Sequence, residues 1–340
     1  MSSTEPGRGR ILKRVVQSIW LRVAISAAIL GWLCYRMDWP KLAEVWREMR
    51  WEWWLGAIGV AVAAQFVSGF RWWILIRPLG FNDSALRCIG LEFVGLFVNL
   101  FMPSTVGGDV ARAWYLDGGR GFRARAMISV FVEQSSGMSV LFAMALVASL
   151  IGRSSFPNWM LPLVLVVCGG FLVWMLMLLA VSSWLSRRLR SAQSTWLQGV
   201  QHYAKTLAEA VAIYWRHRLV FLASIALAVG MYLLMFLSMW MLSRGLGQSV
   251  SLGYFTAIIP LMTALMWAPI SVNGVGVREA SLSLFLGPLG VSAEGAISLG
   301  FLAFLNLALI SFIGGVIYAF GVYPKLQPEK HVEREEVAAV

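Results

Sequence analysis

Pro103-Ser-Thr-Val-Gly-Gly-Asp-Val-Ala-Arg112 and Pro269-Ile-Ser-Val-Asn-Gly-Val-Gly-Val-Arg278 each place an arginine nine residues beyond a proline, with glycines between them. Proline removes a backbone donor and glycine relaxes the backbone, so each stretch is expected to turn and then start a helix. The first turn of such a helix carries unpaired N–H groups that attract anions such as phosphate. Asp109 falls near the start of the first helix, with Arg112 one turn on. Asn273 lies in the second turn, with Arg278 and Glu279 on the helix behind it. These types suit a paired site in which Arg112 and Arg278 bind a lipid phosphate from two sides. Gly107, Gly108, Gly274 and Gly276 would shape its turns. The plainer alternative is that the arginines pair with Asp109, Glu279 or Glu133 and only fix the turns.

Arg71, Glu92, Glu133 and Glu294 also fall inside apolar stretches. A charge there costs roughly 2.5–3.5 kcal/mol on insertion scales, so it is expected to face a cavity or a partner. Glu133 is the preferred carboxylate for proton coupling or for a counter-charge to an arginine. Arg71 either serves the same site or snorkels to headgroups, and Glu294 reads as a boundary residue. Asn99, Asn306 and Gln65 either line a path or hydrogen-bond between helices. Cys34, Cys88 and Cys168, like His202, His217 and His331, are scattered, which indicates neither a metal site nor a cofactor. No GxxxxGK[ST], GxSxG or HExxH motif occurs, so direct use of ATP is not expected and no catalytic constellation marks an enzyme.

The elements that must hold these residues follow from composition. Of 340 residues, 59% are hydrophobic and 13% charged, whereas a soluble domain carries about 25% charged residues. The net charge of +11 would suggest nucleic acid in a soluble protein, but the bases sit in short loops and read as topology determinants beside anionic headgroups. Six stretches are long enough to cross about 30 Å of hydrocarbon: 17–37, 53–76, 124–151, 159–182, 218–243 and 293–321. Two more, 88–102 and 253–268, are too short, and each ends in a Pro/Gly break followed by a short polar helix. Such half-helices are tolerated at membrane depth only beside protein or a water-filled cavity.

Residues 187–216 carry an apolar stripe at three- and four-residue spacing (Trp196, Val200, Tyr203, Leu207, Ala210, Val211 and Tyr214), as expected of an interfacial helix. A shorter one is expected over 39–54. The loop bases place both termini in the cytoplasm: a basic segment 1–16 precedes the membrane domain 17–321, and a charged tail 322–340 follows it.

The two broken stretches match each other. Arg77-x-Leu79-Gly80, Leu86 and Pro103 answer to Arg244-x-Leu246-Gly247, Leu252 and Pro269; Val106 answers to Val272 and Gly108 to Gly274. An odd number of crossings separates the copies, one over about 40–151 and the other over about 187–321, so the second is expected to be inverted. The expected architecture is an all-α polytopic membrane protein with about six full transmembrane helices plus two re-entrant helical hairpins in an inverted repeat.

Phe101-Met-Pro-Ser-Thr-Val-Gly-Gly-Asp-Val-Ala-Arg112 and Pro269-Ile-Ser-Val-Asn-Gly-Val-Gly-Val-Arg-Glu279 resemble signatures of the lysylphosphatidylglycerol synthase transmembrane-region, or flippase-like, family. The likeness covers roughly 15–321 and puts Asp109, Arg112, Asn273, Arg278 and Glu279 on the family's motif positions. After Glu133 the family tends to carry an arginine; this chain has Gln134. The resemblance implies flipping of aminoacylated phospholipids, or handling of other lipid-linked products, in a bacterial-type inner membrane, without the soluble aminoacyl-transferase domain. The leading expectation is a translocase for an anionic, aminoacylated or isoprenoid-linked lipid. The alternatives are a secondary transporter of a small solute or ion, and a non-transporting partner of lipid- or glycan-synthesis enzymes.

Overall fold

The structure, a computed structural model, describes residues 39–102, 107–188, 195–267, 274 and 276–320. The regular elements among them are all helices: α1 (Trp39–Arg47), α2 (Trp51–Ile76), α3 (Ala85–Phe101), α4 (Gly107–Asp117), α5 (Arg123–Ile151), α6 (Met160–Arg188), α7 (Thr195–Arg216), α8 (Arg218–Gly245), α9 (Leu252–Trp267), α10 (Val277–Leu286) and α11 (Ala293–Ala319). α2, α5, α6, α8 and α11 contain stretches long and apolar enough to cross a membrane. The 26 residues of α2 rise about 39 Å, more than the roughly 30 Å of hydrocarbon. α3 and α9, with 17 and 16 residues, rise only about 25 Å, and each is followed by a break and a half-length helix, α4 or α10. The expected span over 17–37, the Pro103 turn, and Pro269 with Asn273 lie outside the described residues. The short helix expected over 39–54 ends at Arg47, and Trp51 already opens α2.

The five long helices are apolar nearly all round, as elements surrounded by lipid and by one another must be. α6 is the most peripheral: Leu165, Val166, Leu172, Val173, Leu176 and Met177 all expose more than half of their surface. So much exposed apolar area suits a hydrocarbon solvent.

Corresponding segments adopt the same local structure. Gly80 and Gly247 both take the left-handed backbone that only glycine enters without strain, at φ 93° and 74°. The Gly80 N–H donates to the Arg77 carbonyl (3.1 Å), as Gly247 does to Arg244 (3.0 Å). The next residues, Phe81 and Gln248, close the same outer bond to Ile76 and Ser243. Ser84 then caps α3 through the Arg87 N–H, and Ser251 accepts from the Tyr254 N–H at the start of α9.

Helix packing is reciprocal between the halves. α3 lies on α11 as α9 lies on α5; α3 meets α4, and α4 meets α5, as α9 meets α10 and α10 meets α11. α2 and α8 form the most extensive pair and run antiparallel: Gly245 approaches Trp53, the Ser238 hydroxyl donates to the Ala57 carbonyl, and Arg71 donates to Ser224. Two apolar cores result. One gathers Trp72, Leu91, Leu116 and Tyr214 from α2, α3, α4 and α7; the other gathers Phe236, Phe255, Phe285 and Leu299 from α8 to α11. On α5, Glu133 and Ser136 fall between Val130 of the first core and Met138 of the second.

Candidate functional site

The half-length helix α4 opens with Gly107 and Gly108, so Asp109 and Arg112, three residues apart, share a face one turn from its start. α3 runs beside it and contributes Glu92, while α5 contributes Glu133 from the other side. Arg112 is 3% exposed and gathers all three acids. One terminal nitrogen pairs with Glu92 and lies 3.3 Å from Glu133, and the other donates to Asp109 at 2.8 Å. The guanidinium also sits 5.0 Å from the Trp72 ring centre. A buried cation is stable only with partners of this kind.

Arg71, on α2, belongs to the same cluster. It does not snorkel: at 2% exposure it donates to the Ser136 hydroxyl (2.6 Å), the Glu133 carbonyl (2.7 Å) and the Ser224 hydroxyl (3.1 Å), and lies 3.9 Å from the Glu133 carboxylate. Ser68, one turn before it, donates to Glu92 at 3.0 Å. Five helices thus converge on two guanidiniums and three carboxylates. Two guanidiniums against three carboxylates leave one excess negative charge, which in a low-dielectric interior favours a cationic group beside the cluster. Asp109 is the carboxylate nearest the outside, at 22% side-chain exposure, and Gln134 donates to it at 3.1 and 3.2 Å. The residue standing where the family tends to have an arginine therefore reaches the cluster as a neutral donor.

Gly107 and Gly108 do a different task from the one expected of them. They are the first residues of α4 itself, and the need for glycine at 108 is close approach. A Cβ on Gly108 would collide with the Gly95 carbonyl oxygen, and one on Gly95 would come within 2.8 Å of the Arg112 side chain. Asn99, at the end of α3, accepts the Gly108 N–H at 2.6 Å. It thus caps α4 and occupies one of the donors that an anion would use. Asn306 donates to Ser238 (3.3 Å), a helix–helix bond between α11 and α8. Glu294 lies in the first turn of α11, where the helix dipole favours an acid.

The second motif is built differently. Gly274 and Gly276 take left-handed backbones, at φ 72° and 83°. Glu279 accepts the Gly276 N–H at 2.7 Å, capping α10, and packs against Gly300 of α11. Arg278 is 6% exposed and makes no ion pair among the described residues. One of its terminal nitrogens has no hydrogen bond, and its guanidinium lies 5.8 Å from the Phe304 ring centre. Arg71, Asn99, Gly108, Asp109, Arg112 and Glu133 are therefore brought together, whereas Gly274, Gly276, Arg278 and Glu279 form a separate group on α10 and α11. Sequence reasoning expected Glu92 to face a cavity or a partner without naming Arg112, and it passed over Ser68, Ser136 and Ser224. Glu92 carried a signal, an acid within an apolar stretch; the serines carried none.

A pocket of about 440 Å³ opens beside the cluster between α4, α5, α6 and the end of α9. Asp109, Gln134 and Ser135 are its polar lining; Phe131, Met138 and Phe171 are among its apolar walls. Val110, Trp174 and Trp267, at 42%, 45% and 48% exposure, stand at its rim. No curated protein and no solved structure matches this chain. A family model, described as the lysylphosphatidylglycerol synthase TM region, matches residues 19–315.

Proposed function

The chain belongs to the lysylphosphatidylglycerol synthase transmembrane-region family, and from that premise we propose that it is a lipid translocase. It passes a charged headgroup beside the Arg112 cluster while the acyl chains stay in hydrocarbon. The observation that carries this reading is the pocket whose exposed rim is Val110, Trp174 and Trp267 and whose polar end is Asp109 with Gln134. A transporter of small solutes needs a water-filled vestibule closed to lipid. An amphiphile needs this combination of apolar walls and one polar end.

The surplus of carboxylates over guanidiniums in the cluster suits a headgroup with a cationic group, as an aminoacylated phospholipid has. Arg112 is fully engaged, so the anionic part of the headgroup falls to Arg278, a buried guanidinium that makes no ion pair among the described residues. The reciprocal helix packing and the antiparallel α2–α8 pair support an inverted repeat in which α3–α4 and α9–α10 are re-entrant hairpins. The basic loops support a cytoplasmic N-terminus in an inner membrane.

Reconstitution in liposomes with headgroup-labelled lipids tests the reading. The wild type is expected to move an aminoacylated phosphatidylglycerol faster than protein-free vesicles do. Asp109→Asn is expected to slow that lipid roughly tenfold or more, the effect of losing one charge-assisted contact of about 1.5–3 kcal/mol. Translocation no faster than in empty vesicles across the whole lipid panel would sink the proposal.

A further inference from the structure

A second pocket, of about 410 Å³, lies between α5, α6, α7 and the start of α8. It adjoins the first at Phe131 and Ser135 but meets none of the carboxylates of the cluster. Met175, Leu207, Val211, Phe221 and Leu222 make it apolar, and Arg218 stands in its lining. Arg218 ends the run Arg216-His217-Arg218, where α7 hands over to α8. All three side chains are exposed, and none makes an ion pair with a carboxylate among the described residues.

The depth of this corner follows from helix length. The 28 residues of α8 rise about 42 Å, so a helix centred across the roughly 30 Å of hydrocarbon carries its first residue to headgroup level. Trp215, 83% exposed and also lining the pocket, is the type of ring that favours that boundary. An apolar slot at chain depth thus continues into a cationic corner at phosphate depth.

We propose that this is a fixed site for an anionic phospholipid, separate from the translocated one. One acyl chain fills the slot, and the phosphate rests on Arg216, His217 and Arg218. Charge decides the lipid class: Arg218 lines the slot with Arg216 two residues before it, and no carboxylate among the described residues lines it to meet the ammonium of a zwitterionic lipid. A lipid seated there touches α5, α6, α7 and α8 together and so ties the amphipathic helix to the bundle.

The full-length protein, stripped of lipid in detergent, would be titrated with phosphatidylglycerol or phosphatidylcholine, with bound lipids counted by native mass spectrometry. Phosphatidylglycerol is expected to bind at least about tenfold more tightly, a free-energy difference of about 1.4 kcal/mol. Arg216→Gln with Arg218→Gln should remove that preference, and the Lys/Lys pair should keep most of it. Val211→Trp should block binding while the charges remain. Equal binding of the two lipids, or a preference unchanged by the Gln/Gln pair, would overturn the proposal. Lipid occupancy is read here rather than flipping, so the result is independent of the translocase assay.

Discussion

Arg112 keeps its charge in an apolar interior because Glu92, Asp109 and Glu133 surround it, and those acids depend on it in turn. Removing one member of a buried ion pair leaves the others uncompensated, at a cost of about 3–5 kcal/mol. Arg112→Ala is therefore expected to lower the unfolding temperature in detergent sharply, and Arg112→Lys to recover only part of it. A single ammonium cannot present two nitrogens to carboxylates on three helices. A thermal-unfolding series on the purified variants measures both. At this scale much of the site was legible: Asp109, Arg112 and Glu133 stand out as charges within or beside apolar stretches. What was not legible was partner choice. Glu92 falls seven residues before Asn99 on α3, and periodicity places both on one face without saying which meets Arg112. Arg71 remained open between headgroups and site because a long side chain near a helix end can turn either way. Only the positions of Ser136 and Ser224 settle it.

The α3–α4 pair depends on glycine at the contact between its two helices. Gly108→Ala would push a methyl group into the Gly95 carbonyl, a backbone atom rather than the end of a flexible side chain. The expected loss is about 1–3 kcal/mol, read from thermal unfolding. Gly169→Ala on α6, where no atom lies within 4 Å of the added carbon, is expected to be neutral or slightly stabilising. Element boundaries were well marked because composition changes abruptly at them. The span expected over 124–151 is α5 at Arg123–Ile151, and the short polar helix expected after the first break is α4 at Gly107–Asp117. The purpose of the glycines was misread for a physical reason. A Gly-Gly pair after a proline has the composition of a turn, and only a neighbouring helix reveals that the missing side chain makes room.

Across the whole molecule, the proposed inverted repeat predicts sidedness. With Cys34, Cys88 and Cys168 replaced, a single cysteine at Gly119, between α4 and α5, is expected to react only from the cytoplasmic side. One at Gly290, between α10 and α11, should react only from the opposite side. Labelling of both from one side would dismantle the inverted repeat. Sequence by itself determined that the chain lives in lipid, where its long apolar helices run to within a few residues, and that two segments repeat a motif. Hydropathy, breakers and residue identity are properties of the chain read one stretch at a time. Tertiary structure alone decided that the two motifs are unequal, one arginine enclosed by three acids and the other making no ion pair among the described residues. That inequality depends on which side chains arrive from helices distant in sequence, and no local pattern encodes an encounter between α2, α3, α4, α5 and α8.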